Sequence, residues 1–339
     1  MKKIKFFAVT IILLIASVVE GQNISKSGTT AAQFLKIGVG PRAIGMGSAF
    51  AATADDISAI YWNPGGLATN HSNEAVFNHT NWIADVGYDF AAVTTHMSDF
   101  GTVGAFVSIL QSIDGMDVRT VEAPEGTGEK FDAGSMSIGL SFARELTEEF
   151  SIGFNVKYVR EYIWHESATG FALDVGVLYK IPVLNEFRLA GSISNFGTKM
   201  KLEGRDIREI KQVGSEGVGN LINSFVELDE WDLPLTFRVG VAADLIKSGS
   251  SRLTTAIDAV HPNDHTEYLN TGVEYSWNEM VSIRAGYNSL FETDSEKGFT
   301  FGAGLNYRFI ESVRLLFDYA YQDFGRLEEV HYFSFGVKF

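Results

Sequence analysis

Over most of its length this chain alternates. Phe299, Phe301, Ala303, Leu305, Tyr307 and Phe309 fall on one parity, and Thr300, Gly302, Gly304, Asn306 and Arg308 on the other. Val313, Leu315, Phe317, Tyr319 and Tyr321 alternate in the same way with Arg314, Leu316, Asp318, Ala320 and Gln322. Phe237, Val239, Val241, Ala243 and Leu245 alternate with Arg238, Gly240, Ala242 and Asp244. A period of two gives a strand with one apolar and one mixed face. From residue 75 onward the pattern predicts strands near 75–83, 86–97, 101–110, 134–144, 150–163, 168–180, 186–195, 234–246, 251–261, 265–277, 280–289, 298–309, 312–323 and 329–339. The last one places Phe333, Phe335, Val337 and Phe339 on one face and ends on the aromatic itself.

Fourteen strands of about ten residues suit an antiparallel transmembrane β-barrel, which in bacterial single chains has an even strand number. The connections agree. Those near 98–100, 146–149, 182–186, 247–250, 278–279 and 310–311 are short, and 111–133, 196–233 and 290–297 are long. Short periplasmic turns and longer outer loops are the rule for such barrels. The turn near Ala84–Asp85 is the exception, short on the outer side. The count also predicts that both termini lie on the periplasmic side.

The first residues change the address. Lys2, Lys3 and Lys5 precede an apolar run from Phe6 to Val19 and small residues around Gly21. This reads as a secretory signal peptide over 1–21, cleaved between Gly21 and Gln22, since the run is shorter than a helical span needs. Composition supports the reading. The chain has 339 residues, 34 of them Gly and 6 Pro. It has no Cys, which excludes disulfides, thiolate metal sites and a Cys-linked lipid anchor. The net charge of −15 becomes −17 when the signal peptide, with three Lys and one Glu, is removed. So acidic a chain is a poor partner for nucleic acid. Outer-membrane lipid is the partner that the aromatic strands imply.

Candidate chemistry is thin. His261, Asp264 and His265 are close in sequence, but Pro262 and Asn263 make that stretch a loop rather than a ligand-bearing helix. Asp114, Asp117, Glu122, Glu125, Glu129 and Asp132 lack the dense spacing of a Ca²⁺ loop. No catalytic set, metal site or cofactor motif emerges; Gly45 and Gly47 follow no strand that would make them a dinucleotide fingerprint. Strand parity turns Arg238, Arg284, Arg308, Arg314 and Lys338 into the lumen, with Asp174, Asp244, Glu274 and Asp318. Charges persist there only when paired or hydrated.

Ahead of the strands, Ala31–Ile37 reads as a turn or two of amphipathic helix, and Ala54–Leu67 as a short helix. Asp55 or Asp56 is its N-cap, and Asn63-Pro64-Gly65 its stop. Three motifs here, Pro41-Arg42-Ala43-Ile44-Gly45-Met46-Gly47, Ala54-Asp55-Asp56 and Tyr61-Trp62-Asn63-Pro64-Gly65-Gly66-Leu67, resemble the PorV/PorQ family of Bacteroidetes-type outer-membrane proteins, within the FadL-like barrels. The last resembles that group's Asn-Pro-Ala hatch motif, with Gly65 where Ala is usual; the Ala54-Asp55-Asp56 and Gly-Gly-Leu details resemble a general family member rather than PorV proper.

The resemblance implies that residues 22–72 fold as a hatch inside a barrel of residues 73–339, with Asp55, Asp56, Trp62, Asn63, Pro64 and Gly65 as its motif. It implies no enzyme activity. It implies an accessory or docking role in type IX protein secretion, with secreted proteins or a translocon meeting loops 111–133 and 196–233. Phe225, Trp231 and Leu233 would form an apolar shelf there. The alternative it implies is transport of hydrophobic small molecules. Phe335 and Phe339 would carry the signal for barrel assembly. Arg284, Arg308, Arg314 and Lys338, gathered at the periplasmic end, are then expected to hold the hatch through Asp55 and Asp56.

Overall fold

A computed structural model describes residues 27–111, 115–181, 187–215, 218–292 and 295–339. The expected signal peptide and its cleavage point lie outside the described residues, as does Asp114.

The fourteen predicted strands form one closed antiparallel barrel. They are β1 Glu74–Asn81, β2 Gly87–Met97, β3 Gly101–Leu110, β4 Ala133–Glu145, β5 Phe150–Ile163, β6 Glu166–Ile181 and β7 Phe187–Gly197. The second half is β8 Thr236–Ser248, β9 Ser251–Pro262, β10 Tyr268–Trp277, β11 Val281–Leu290, β12 Phe299–Ile310, β13 Val313–Asp323 and β14 Glu329–Lys338. Each pairs with its sequence neighbours, and β14 returns to β1 with Phe335 opposite Phe77. Backbone hydrogen bonds in both directions between Asn73 and Phe339 finish the seam. Closure leaves the fourteen barrel strands paired on both sides among the described residues, as a membrane requires.

The alternation sorts the two faces as its period demands. Phe237, Phe301, Phe309, Phe317 and Phe335 point outward and are exposed, forming the apolar band. Arg238, Glu274, Arg284 and Thr300 of the opposite parity are buried in the lumen. One end of the barrel carries the short turns. Trp277-Asn278-Glu279-Met280 is such a turn, with both central residues at φ 53°, the left-handed geometry of a tight hairpin. The other end carries the long loops, including a free-standing hairpin of Arg208–Ser215 with Val218–Phe225. Not every connection at this outer end is long: those at 82–86, 164–165, 263–267 and 324–328 are short.

The lumen is filled by the chain ahead of β1. It runs through 3-10 turns at Gln33–Lys36 and Pro64–Thr69 and short helices at Pro41–Gly45 (α1) and Ala59–Trp62 (α2). Phe34, Ile44, Met46, Phe50, Ile60, Trp62 and Leu67 are buried there and make the core. The expected helix over 54–67 is therefore two short elements. Asp55 and Asp56 do not cap α2, whose N-cap is Ser58, without a side-chain bond. Asp56 instead accepts from the Ser58 backbone N–H at 2.9 Å, a turn that competes with helix. Asn63 ends α2 and caps the next turn by accepting from Gly65 N–H at 3.1 Å.

The expectation that both termini lie at the short-turn end holds for the strands but not for this segment. Thr30 pairs with Asp232 of the long outer loop, and its hydroxyl donates to Asp264 at 2.9 Å beyond the outer end of β9. The segment then crosses the whole lumen to reach β1 at the periplasmic end. Strand parity counts crossings of the wall and is blind to one crossing of the interior.

Candidate functional site

The hatch is seated by backbone. Short helices leave most of their N–H and C=O groups without helical partners, and the lumen supplies them. Asp258 accepts from Phe50 and Ala51 N–H at 2.8 Å each. Ser151 donates to Gly65 O at 2.8 Å, Asn155 to Ile60 O at 2.7 Å and Ser192 to Trp62 O at 3.1 Å. Thr300 receives Gly47 N–H at 2.9 Å. Asn63, fully buried, donates to Ala51 O at 2.8 Å and Val177 O at 3.1 Å, tying two hatch turns to β6. Trp62 donates its indole N–H to Val39 O at 2.7 Å. Sequence reasoning missed the receiving set. Its signal was there: small polar residues at lumen parity on strands with no other use for them.

The fit is close enough that side chains are excluded. A Cβ on Gly47, at φ 65°, would stand 2.4 Å from Thr271 O. One on Gly65 would stand 2.7 Å from Gly176 O. The departure from Ala at this motif position is thus matched to β6, where backbone rather than a movable side chain is the neighbour.

Charge holds the hatch at both ends, though not as expected. At the periplasmic end the hatch supplies the cation. Arg42 of α1 grips Glu274 of β10 with two bonds of 2.9 and 3.0 Å, and a further nitrogen binds Asp55 and Asp56. Arg284 binds the same Glu274 at 2.7 Å and Asp318 at 2.6 Å. Asp55 and Asp56 therefore turn to Arg42 of their own segment, and Arg284 is answered by barrel carboxylates. Asp244 is bonded by Arg188 at 2.8 Å. Arg314 stands opposite both Arg308 and Lys338, and Arg308 is exposed at the strand end rather than inside the lumen. Lys338 donates to Asn70 at 2.9 Å.

At the outer end the barrel supplies the anion. Asp264, with its side chain 2 % exposed, takes Lys36 at 2.9 Å, Gln33 at 2.9 Å and Thr30. Burial raises its carboxyl and these donors outweigh it, so it sits below the usual carboxylate range. His261 and His265 do not join it: the first faces Glu267 and the second Glu292.

Arg238 lies between the two ends, buried, with its guanidinium over Tyr61 and Trp62 at 5.8 and 5.3 Å. It borders a cavity of about 290 Å³ on the outer side of the hatch, walled also by Tyr88, Phe90, Phe106 and Phe324. Of the expected outer shelf, Phe225 and Trp231 are exposed, whereas Leu233 is buried at 3 %. Its backbone bonds to Asn263 and Leu235 draw it under the rim.

No curated protein matches this sequence. Among solved structures, the CymD monoaromatic hydrocarbon channel superposes with a TM-score of 0.56 at 13% identity, covering 89% of this chain and 97% of that one. The toluene transporter TbuX of Ralstonia pickettii gives 0.53 at 11% identity, with 89% and 97% covered. The Pseudomonas putida toluene transporter TodX gives 0.51 at 10% identity, with 87% and 96% covered. At such identities these relatives establish the fold alone, a closed antiparallel β-barrel. The sequence itself matches the family described as type IX secretion system protein PorV over residues 20–210, more than half of the chain, and the protein belongs to that family.

Proposed function

We propose that this barrel is an accessory or docking component of type IX secretion, holding a secretion partner at the outer face through its loop 198–235. Family membership is the observation that carries the reading. The lumen supports it, because the hatch is bonded at both ends and along its middle, as suits a scaffold more than an open pore. The loop supports it too. Its hairpin leaves Ile210, Leu221 and Phe225 exposed at 72%, 72% and 57%, and an isolated two-stranded hairpin is marginal in water without something to pack against. Residues 22–72 act in this reading as the hatch domain and 73–339 as the barrel, with Phe335 and Phe339 as its assembly signal.

The test is recovery of partners from native membranes. The full-length protein should co-purify with other secretion proteins, and replacing residues 207–226 by a short turn should remove them while the barrel stays heat-modifiable on a gel. Unchanged recovery would exclude the loop. The aromatic-walled cavity favours one second reading, passage of hydrophobic small molecules of the kind the TodX and TbuX names describe. Uptake of labelled toluene into vesicles carrying this barrel, above that of empty vesicles, would favour it over docking.

A further inference from the structure

The chain carries a charge of −15, yet residues 199–211 reverse the sign. They hold Lys199, Lys201, Arg205, Arg208 and Lys211 against Glu203, Asp206 and Glu209. Three of these cations meet at one place. Lys201, Arg205 and Arg208 line a groove of about 870 Å³ together with Ser167 and Thr169 of β6 and the half-exposed Phe225.

The two segments are fixed to each other. Glu203 and Gly204 pair with Ser167 and Glu166 as an added strand, and the Asp206 N–H donates to Glu166 at 2.7 Å. Arg205 is braced against His165, which binds Asp206 at 2.6 Å. Lys201 and Arg208 have no carboxylate partner among the described residues. The guanidinium of Arg208 lies over the Phe225 ring at 5.4 Å. Glu203 and Glu227 also line the groove and Asp206 pairs with Arg205 at 3.6 Å, so the cations open to a ligand are Lys201 and Arg208. Arg160 of β5, opposite Thr169, adds a cation at the same level.

The level is what identifies the ligand. Ser167 and Thr169 share outward parity with Phe171, Leu173 and Val175, which are exposed and begin the apolar band. Basic and hydroxyl groups just above that band sit where the headgroups of the outer leaflet lie. We propose that this groove binds a phosphate-bearing amphiphile, the phosphorylated glycolipid of the outer leaflet, with phosphate on Lys201 and Arg208 and acyl chains along Phe171. Charge-assisted bonds from Arg and Lys to phosphate are the strong kind. The proposal rests on the outer-membrane location and is independent of the docking role.

The test uses the full-length protein in detergent, read by native mass spectrometry against a diphosphorylated lipid A, its dephosphorylated form and inorganic pyrophosphate. Diphosphorylated lipid A should be retained at least tenfold better than the dephosphorylated form. Lys201→Glu/Arg208→Glu should abolish that preference, while Lys130→Glu on another outer loop leaves it. Where the double variant loses heat-modifiable mobility, the single Lys201→Gln should still reduce the preference. Equal retention of both lipids would reduce the groove to ordinary lipid contact and overturn the proposal. Displacement by pyrophosphate at the lipid's own concentration would also overturn it, making free phosphate the ligand.

Discussion

The two ends of the hatch are held by opposite devices. At the periplasmic end a hatch cation, Arg42, is inserted among barrel and hatch carboxylates, and its partner Glu274 also serves Arg284. At the outer end a barrel anion, Asp264, collects three donors from one turn of the hatch. The first is a network in which each member neutralises more than one other. The second is a clasp whose donors are half-exposed and replaceable by water. Buried ion networks add little net stability when complete and cost much when broken, so the inner end should tolerate substitution badly and the outer end well.

The sharpest break is Glu274→Ala, which strands Arg42 and Arg284 together in the lumen with one carboxylate removed from each. Removing one partner of a buried pair costs about 3–5 kcal/mol, and protease cleavage between residues 40 and 70 should rise strongly. A hatch as protected as the native one would show that water and Asp318 suffice. Next comes Gly65→Ala, which restores the residue usual at this motif position. The added methyl meets the Gly176 carbonyl, and overpacking of this kind costs about 1–3 kcal/mol. It should loosen the hatch middle without changing either end; unchanged protection would mean that β6 moves aside.

The barrel was legible in the sequence because its two faces meet different media, and alternation records that directly. The hatch contacts were not, since they depend on which lumen positions face which turn. Arg42 shows the difficulty. It lies in a Gly- and Pro-rich motif that reads as backbone geometry, 13 residues from Asp55 and 232 from Glu274. With lumen arginines visible by parity and aspartates visible in the hatch, the natural inference paired them across the gap. The structure supplies the cation from the hatch. Leu233 failed for a related reason: an apolar residue in an outer loop is a shelf or an anchor depending on a rim that only three dimensions provide.

At the outer clasp, Asp264→Asn should cost about 1 kcal/mol, since the amide keeps an oxygen for Gln33 and Thr30 and the ammonium it releases, on the part-exposed Lys36, is left to water rather than stranded. The readout is a cysteine at Gly28, an exposed position next to the clasp. On intact cells it should label with an impermeant reagent, because the hatch begins at the outer mouth; labelling only after the envelope is opened would refute that path. Asp264→Asn should speed labelling at Gly28 and leave cleavage at 40–70 unchanged. The pH sign follows from the depressed Asp264 carboxyl. Its contribution is present above the unfolded value near 3.8 and is lost as pH falls through the lower folded value. Native and Asp264→Asn proteins should therefore differ at pH 5 to 7 and converge only below pH 3.8.

Asp56→Ala should have the smallest effect, although sequence reasoning makes Asp56 a main anchor. Its carboxylate shares one Arg42 nitrogen with Asp55, at 2.9 Å, while the two bonds to Glu274 hold the guanidinium from the barrel side. Loss of Asp56 leaves Arg42 with two carboxylates, so no buried charge is stranded. What disappears is the turn in which Asp56 accepts from the Ser58 N–H and hydroxyl, a part-exposed site where water replaces the lost acceptor, so the net cost is about 0.5 kcal/mol. The barrel should keep its heat-modifiable mobility and the 40–70 region most of its protection. Asp55→Ala/Asp56→Ala should exceed the sum of the two single changes, because only then is Arg42 left with Glu274 as its one carboxylate, which it must share with Arg284. Strict additivity would mean that the two aspartates act on Arg42 independently, and that the inner end is a set of separate pairs rather than a network.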